Sequence, residues 1–393
     1  MGYYDQDFLN YYYFMASNFA LSDRWFSPVS SESTPNRIAS YTGGTTQGLV
    51  RDPGADDHLP QLSIKTIFEE LQGAGVSWKI YYTVTQDQCL ADNDGDCGLT
   101  GSINKFPAST FEYFTYSLNY LYVKSPSRPT CTGNTQSSGA AVGDPQDAFC
   151  IDLSHVAPLD QYYTDVQNGT LPSFAYIEAG YSNNDEHPGS GQSILAGQLQ
   201  MSKVIGALMT SKSWPDSAFF LSYDEGGGPF DHVPPVPGHT NDNTDASLGI
   251  STDISSIAVN ADQYIPCLPS GGIPTLHCDL HPGDPGANPG DAVAVNGFAA
   301  QLGFRMPNIV ISPFTRKHFV SHTPIDHTAV LKFVETRFIN STTHLTARDA
   351  AQPDLTEFFD FANVPWLVPP TPPAPVTSQS LGYDPCHAAN IGP

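Results

Sequence analysis

The feature that most constrains this chain is an alternation. Short strands of apolar and aromatic residues take turns with helices that carry one apolar face. Val76, Trp78, Ile80, Tyr82 and Val84 fall at every second position, the period of a strand. Before them, Ile64, Ile67, Phe68 and Leu71 keep the i, i+3, i+4, i+7 spacing of a helix, with Ser63 placed to cap it and Gly73 and Gly75 to stop it. Residues 173–178 (SFAYIE), 217–223 (SAFFLSY) and 307–312 (PNIVIS) read as further buried strands. Helices are expected over 8–20, over 35–41 starting at Pro35, over 193–211, and over 326–338 with Asp326 as cap. This pattern predicts an α/β fold with a mostly parallel central sheet between helices.

Between these elements lie long stretches rich in Gly, Pro, Asp and Ser. Residues 86–105, 128–150 and 233–300 read as loops, the last as an insertion. Residues 1–363 are taken as one domain and 364–393 as a Pro-rich C-terminal tail. Six of the 7 cysteines fall into local pairs inside loops, and none makes a CxxC pattern. The expected staples are Cys89–Cys97, Cys131–Cys150 and Cys267–Cys278, which leaves Cys386 over. Two glycosylation sequons, Asn168-Gly169-Thr170 and Asn340-Ser341-Thr342, point with them to a secreted protein. No signal peptide follows Met1, so the natural N-terminus is expected upstream. Asp92-Asn93-Asp94-Gly95-Asp96 imitates the start of a calcium loop, but Ile103 stands where the closing Glu belongs.

Charge narrows the partners. Forty Asp and Glu against 16 Lys and Arg give a net charge of −24, which repels nucleic-acid phosphates and anionic bilayers alike. No apolar run is long enough to span a membrane.

Chemistry concentrates at a few places. The strand 217–223 runs into Asp224-Glu225, a glycine turn, and then Asp231-His232. Ligands bind beyond the carboxyl ends of strands in open α/β sheets, and two adjacent carboxylates there call for a cation. The alternative is a solvated acidic turn. Ser33-Thr34-Pro35-Asn36-Arg37 places hydroxyls at a helix N-terminus, where the dipole favours an alkoxide or a phosphate, with Arg37 nearby. Taken alone, this segment reads as an ordinary Ser/Thr cap. Glu186-His187-Pro188 and Asp326-His327-Thr328 complete the set. A single histidine in such a place is more often structural than catalytic.

Together these segments resemble the phosphoesterase family of non-haemolytic phospholipases C and acid phosphatases, which has many fungal members. The match runs in order through Met1-Gly2-Tyr3-Tyr4 to Phe26, Ser33 to Arg37, Glu186-His187-Pro188, Tyr223-Asp224-Glu225 to Pro235, and Asp326-His327-Thr328. The resemblance implies an alkaline-phosphatase-like fold and a phospho-enzyme mechanism. It implies one or more divalent metal ions of unassigned identity. It places the nucleophile at Ser33, with Thr34 second, and the metal at Asp224, Glu225 and Ser33. His187 and His232 would stabilise phosphoryl oxygens or protonate the leaving group. Arg37, Glu186, Asp231, Asp326 and His327 would bind substrate or support these residues. The substrate would be a phospholipid headgroup or a small phosphomonoester. The family's early Glu-Asn strand is missing, which implies either an N-terminally truncated chain or a degenerate member, with weak or absent activity in this chain; the alternative is an inactive or truncated member that binds phosphate-bearing ligands without turnover. Oligomeric state is not implied.

Overall fold

The computed structural model describes residues 3–30, 33–44, 65–82, 135–137, 150–152, 154–178, 186–187, 193–227, 231–233 and 302–381. In chain order, the first half holds α1 (Asn10–Asn18), β1 (Ala20–Ser22), β2 (Trp25–Phe26), α2 (Ser33–Thr42), α3 (Ile67–Gly73) and β3 (Trp78–Tyr82). Then come β4 (Thr135–Ser137), β5 (Cys150–Asp152), β6 (Val156–Pro158), α4 (Leu159–Asn168), β7 (Phe174–Glu178), α5 (Ile194–Met209) and β8 (Phe219–Leu221). The last part holds β9 (Asn308–Ile311), β10 (Phe319–Ser321), β11 (Ile325–Asp326), α6 (Thr328–Phe338), α7 (Ala347–Ala351) and α8 (Ser378–Leu381). The chain is therefore α/β.

The expected mostly parallel central sheet is not one ladder among the described residues. Strand β3 lies between β6 and β7, all parallel, with Ile80 opposite Val156 and Tyr176. A second sheet runs β10-β1-β9-β8, and it is mixed: β1 is parallel to β10, but β9 is antiparallel to both β1 and β8. The reason is connectivity. From β6 to β7 the chain crosses over through α4, which returns it in the same direction; from β8 to β9 it returns through the long 222–307 stretch, free of that constraint.

Strand β9 is buried along its whole length because both faces of its sheet are covered. Ile309 and Ile311 join Tyr11, Met15, Phe19, Leu221 and Trp214 on one side. Val310 joins Ala20, Trp25, Met306, Ile325 and Phe358 on the other. The Pro-rich stretch packs against the body. Trp366 lies against Phe19, and its carbonyl accepts from Trp214 Nε1 at 3.0 Å. Asn10 of α1 donates to Ala374 O and accepts from Val376 N–H, both at 2.8 Å.

Several expected boundaries shift. The cap of α3 is Thr66 rather than Ser63: its Oγ1 accepts from Glu69 N–H at 3.3 Å while Glu69 Oε2 accepts from Thr66 N–H at 2.9 Å. Helix α2 begins at Ser33, two residues before Pro35. The helix expected over 8–20 ends at Asn18, and Ala20–Ser22 becomes a strand. The 193–211 helix stands as α5, capped by Ser193. Of the cysteines, Cys150 opens β5; the expected staples and the Asp92–Asp96 turn lie outside the described residues. Among the described residues no helix is long and apolar enough to cross a membrane.

Candidate active site

Three chain ends converge: the first turn of α2, the carboxyl end of β7, and the segment leaving β8. Ser33 Oγ donates to Glu225 Oε1 at 3.1 Å. Arg37, one turn further along α2, donates from Nε to Asp224 Oδ2 at 2.8 Å. The same guanidinium pairs through Nη1 with Glu178, the last residue of β7. Asn36 is fully buried, and its Oδ1 takes the Val29 N–H at 2.8 Å, which ties the segment entering the helix to its first turn. Beyond the carboxylates the turn lies close against its neighbour, because a Cβ on Gly226 would stand 2.8 Å from Phe304 Cβ.

Burial pushes the Asp224 carboxyl upward, but the Arg37 charge and the hydrogen bonds from Arg37 and Ser33 outweigh it, so it is held below the usual carboxylate range. Asp224 is therefore ionised at neutral pH. Glu178 and Asp224 share one guanidinium and Glu225 adds a third carboxylate on Ser33, so this corner favours a further positive charge.

A second layer holds the Tyr223-Asp224-Glu225 segment. Tyr12 Oη donates to Glu186 Oε1 at 2.5 Å, and Tyr223 Oη donates to the other oxygen of the same carboxylate. Burial, first of all, keeps both phenols far from ionisation. Glu186 lies flush on α5 where Gly197 leaves room: a Cβ there would come within 2.3 Å of Glu186 Cγ. His327 is buried behind the segment. Its Nδ1 accepts from Trp25 Nε1 at 3.0 Å and lies 3.2 Å from Ser222 Oγ, so the geometry assigns the ring proton to Nε2. Burial pushes the imidazole down, against the pull of the nearby Asp326 carboxylate, so it stays neutral.

The structure thus brings together Ser33, Arg37, Asp224 and Glu225, with Glu186 joined to them through Tyr223 and His327 through Ser222. Asp326 has other partners. Its Oδ2 receives Arg348 Nε and Nη2 at 3.0 and 2.8 Å, and its Oδ1 accepts the Thr328 N–H at 2.7 Å. Asp231 accepts a two-pronged bond from Arg305, 2.7 Å on each side. His232 is exposed, 3.5 Å from Asp231, and His187 is exposed beside Glu186. The Thr34 side chain lies outside the described set.

Sequence reasoning missed Glu178, Tyr12, Tyr223 and Trp25. Glu178 carried a signal: it is a lone carboxylate ending an apolar strand, where ligands gather in such sheets. Tyr12 and Trp25 carried none, because aromatic residues in apolar runs look alike whether they only fill space or also donate a hydrogen bond.

Residues 1–339 match the model of the Phosphoesterase family, and the chain belongs to that family. It is 29% identical over 384 residues to a protein named phospholipase C B from Mycobacterium tuberculosis (strain ATCC 25618 / H37Rv), covering 95% of this chain and 58% of that one. It is 27% identical over 380 residues to a non-hemolytic phospholipase C from Burkholderia pseudomallei, covering 92% of this chain and 45% of that one. A non-specific phospholipase C5 from Arabidopsis thaliana is 28% identical over 244 residues, 60% of this chain and 36% of its own. The chain spans about half the length of the bacterial relatives it matches.

Proposed function

We propose that this protein hydrolyses phosphoric esters, of phospholipids or of small phosphomonoesters, through a phospho-enzyme on Ser33. One observation carries the reading: Ser33 Oγ bonds to Glu225 at 3.1 Å across 192 positions of sequence, in a corner that also holds Asp224. Family membership and the names of the relatives support the reaction class.

The donor set suits a divalent cation, since Asp224 and Glu225 offer carboxylate oxygens, Ser33 a hydroxyl, and the corner carries excess negative charge. When bound, such an ion would lower the pKa of the serine hydroxyl and draw charge from the phosphoryl oxygens. Ser33 Oγ forms the new bond to phosphorus as the bond to the leaving alcohol oxygen breaks. The Ser33 proton leaves along its hydrogen bond to Glu225. His187 and His232 are assigned to the phosphoryl oxygens and to protonation of the leaving oxygen, and Thr34 is the alternative nucleophile. Water then cleaves the phosphoserine, releasing the phosphate portion and restoring the hydroxyl. Arg37, Glu186 and His327 orient these groups, while Asp326 and Asp231, paired with Arg348 and Arg305, hold the surrounding segments.

An alkaline-phosphatase-like arrangement over 1–363 is part of the same reading, supported by the parallel β6-β3-β7 sheet and by the pairing of β1 with β10, far apart in the chain. Exposed Asn168 and Asn340 support a secreted glycoprotein.

The Arg37 clamp favours a second reading. It already supplies positive charge to Asp224 and Glu178, as a site that binds phosphate-bearing ligands without turnover would. Rates on p-nitrophenyl phosphate and on phosphatidylcholine, with and without added divalent metal, decide. Metal-dependent turnover that disappears in Ser33→Ala supports hydrolysis, and the substrate turned over separates phosphatase from phospholipase. Phosphate binding without turnover supports the second reading.

A further inference from the structure

Away from Ser33, four ionisable side chains from α3, α6, α7 and the segment joining α6 to α7 come close together. Glu335 and Asp349 are fully buried, and Glu70 is 6% exposed. With His344 beside them, Glu335 and Asp349 bring their ligand atoms within 4.8 Å of one another. His344 Nδ1 lies 2.7 Å from Glu335 Oε2. Glu70 Oε1 takes the Lys65 ammonium at 2.5 Å, but Glu70 Oε2 is buried with no hydrogen-bond partner among the described residues. The Glu70 charge reaches Glu335 across the α3–α6 contact. None of these residues touches the Ser33 corner in the contacts described above.

We propose that Glu335, Asp349 and His344 form a divalent-cation site that ties α7 to α6, with the buried, unpartnered oxygen of Glu70 on α3 adding negative charge beside it. Three carboxylates against one lysine leave two negative charges where water is excluded, a balance that a divalent ion closes. One imidazole nitrogen with carboxylate oxygens is a mixed donor set suited to Zn²⁺ or Mn²⁺, whereas Ca²⁺ and Mg²⁺ prefer oxygen alone. His344 is the entry side, being only partly buried.

The test uses the full chain stripped of metal, then titrated with Zn²⁺ or Mn²⁺, reading bound equivalents and thermal midpoint. Asp224→Asn with Glu225→Gln removes the carboxylates of the other corner. In that background one equivalent still binds and raises the midpoint by several degrees, and His344→Ala or Glu335→Gln weakens binding at least ~10-fold. If the double variant does not fold, His344→Ala against the unmodified chain decides by the loss of one equivalent. Unchanged stoichiometry and affinity in His344→Ala overturn the proposal. So does the absence of any metal-dependent shift in the double variant, which leaves a buried pair sharing a proton.

Discussion

Arg37 Nε donates to Asp224 Oδ2 at 2.8 Å while the same guanidinium holds Glu178, so one side chain from a helix start joins the ends of two strands in different sheets. Arg37→Ala leaves the buried Glu178 and the half-buried Asp224 without that charge. We expect a loss of about 3 kcal/mol in urea unfolding. Arg37→Lys recovers only part of it, because a point charge cannot fork to both carboxylates. Equal stability of Arg37→Ala and the unmodified chain would show the clamp to be idle.

Ser33→Ala removes the proposed nucleophile while leaving a good helix former in the first turn of α2. Turnover of p-nitrophenyl phosphate should fall on the order of 10³-fold or more, with the circular dichroism spectrum unchanged. If Thr34→Ala abolishes turnover and Ser33→Ala does not, the nucleophile moves one residue.

Asp231 is held below the usual carboxylate range, first by its hydrogen bonds from Arg305. Its folded value is depressed, so the pairing stabilises fully above the unfolded value near ~3.9 and is lost as pH falls through the folded value. Arg305→Ala should therefore cost about 2 kcal/mol at neutral pH. The gap to the unmodified chain should narrow steadily below about pH 4. A gap that stays constant down to pH 2 would contradict this linkage.

Gly197→Ala drives a methyl into Glu186, which two tyrosines already hold from the other side. The expected cost is about 1–3 kcal/mol. Turnover should fall with it, because Tyr223 precedes Asp224 directly. Tyr223→Phe keeps the ring and removes one donor to Glu186; its thermal midpoint should fall less than that of Gly197→Ala, and the reverse order would mean that the glycine contact is slack.

Much of the local structure was legible. The strands at β3, β7, β8 and β9 and helix α5 follow from apolar periodicity, because burial on one or both faces leaves a repeat that survives in the sequence. Caps were less so: Ser63 and Thr66 are interchangeable in type, and only the reciprocal bond with Glu69 decides between them. The mixed order of the second sheet was not legible, since the direction in which β9 returns depends on a connection with no periodicity of its own.

By itself the sequence determined the α/β class and the chemistry-bearing segments, because strand and helix periods and short motifs are local. Only tertiary structure decided that Ser33 meets Glu225, that Arg37 meets both Glu178 and Asp224, and that Asp326 and Asp231 are taken up by Arg348 and Arg305. Which cation a carboxylate finds depends on how strand ends are brought together and how deeply each charge is buried, and neither is written at any one position of the chain.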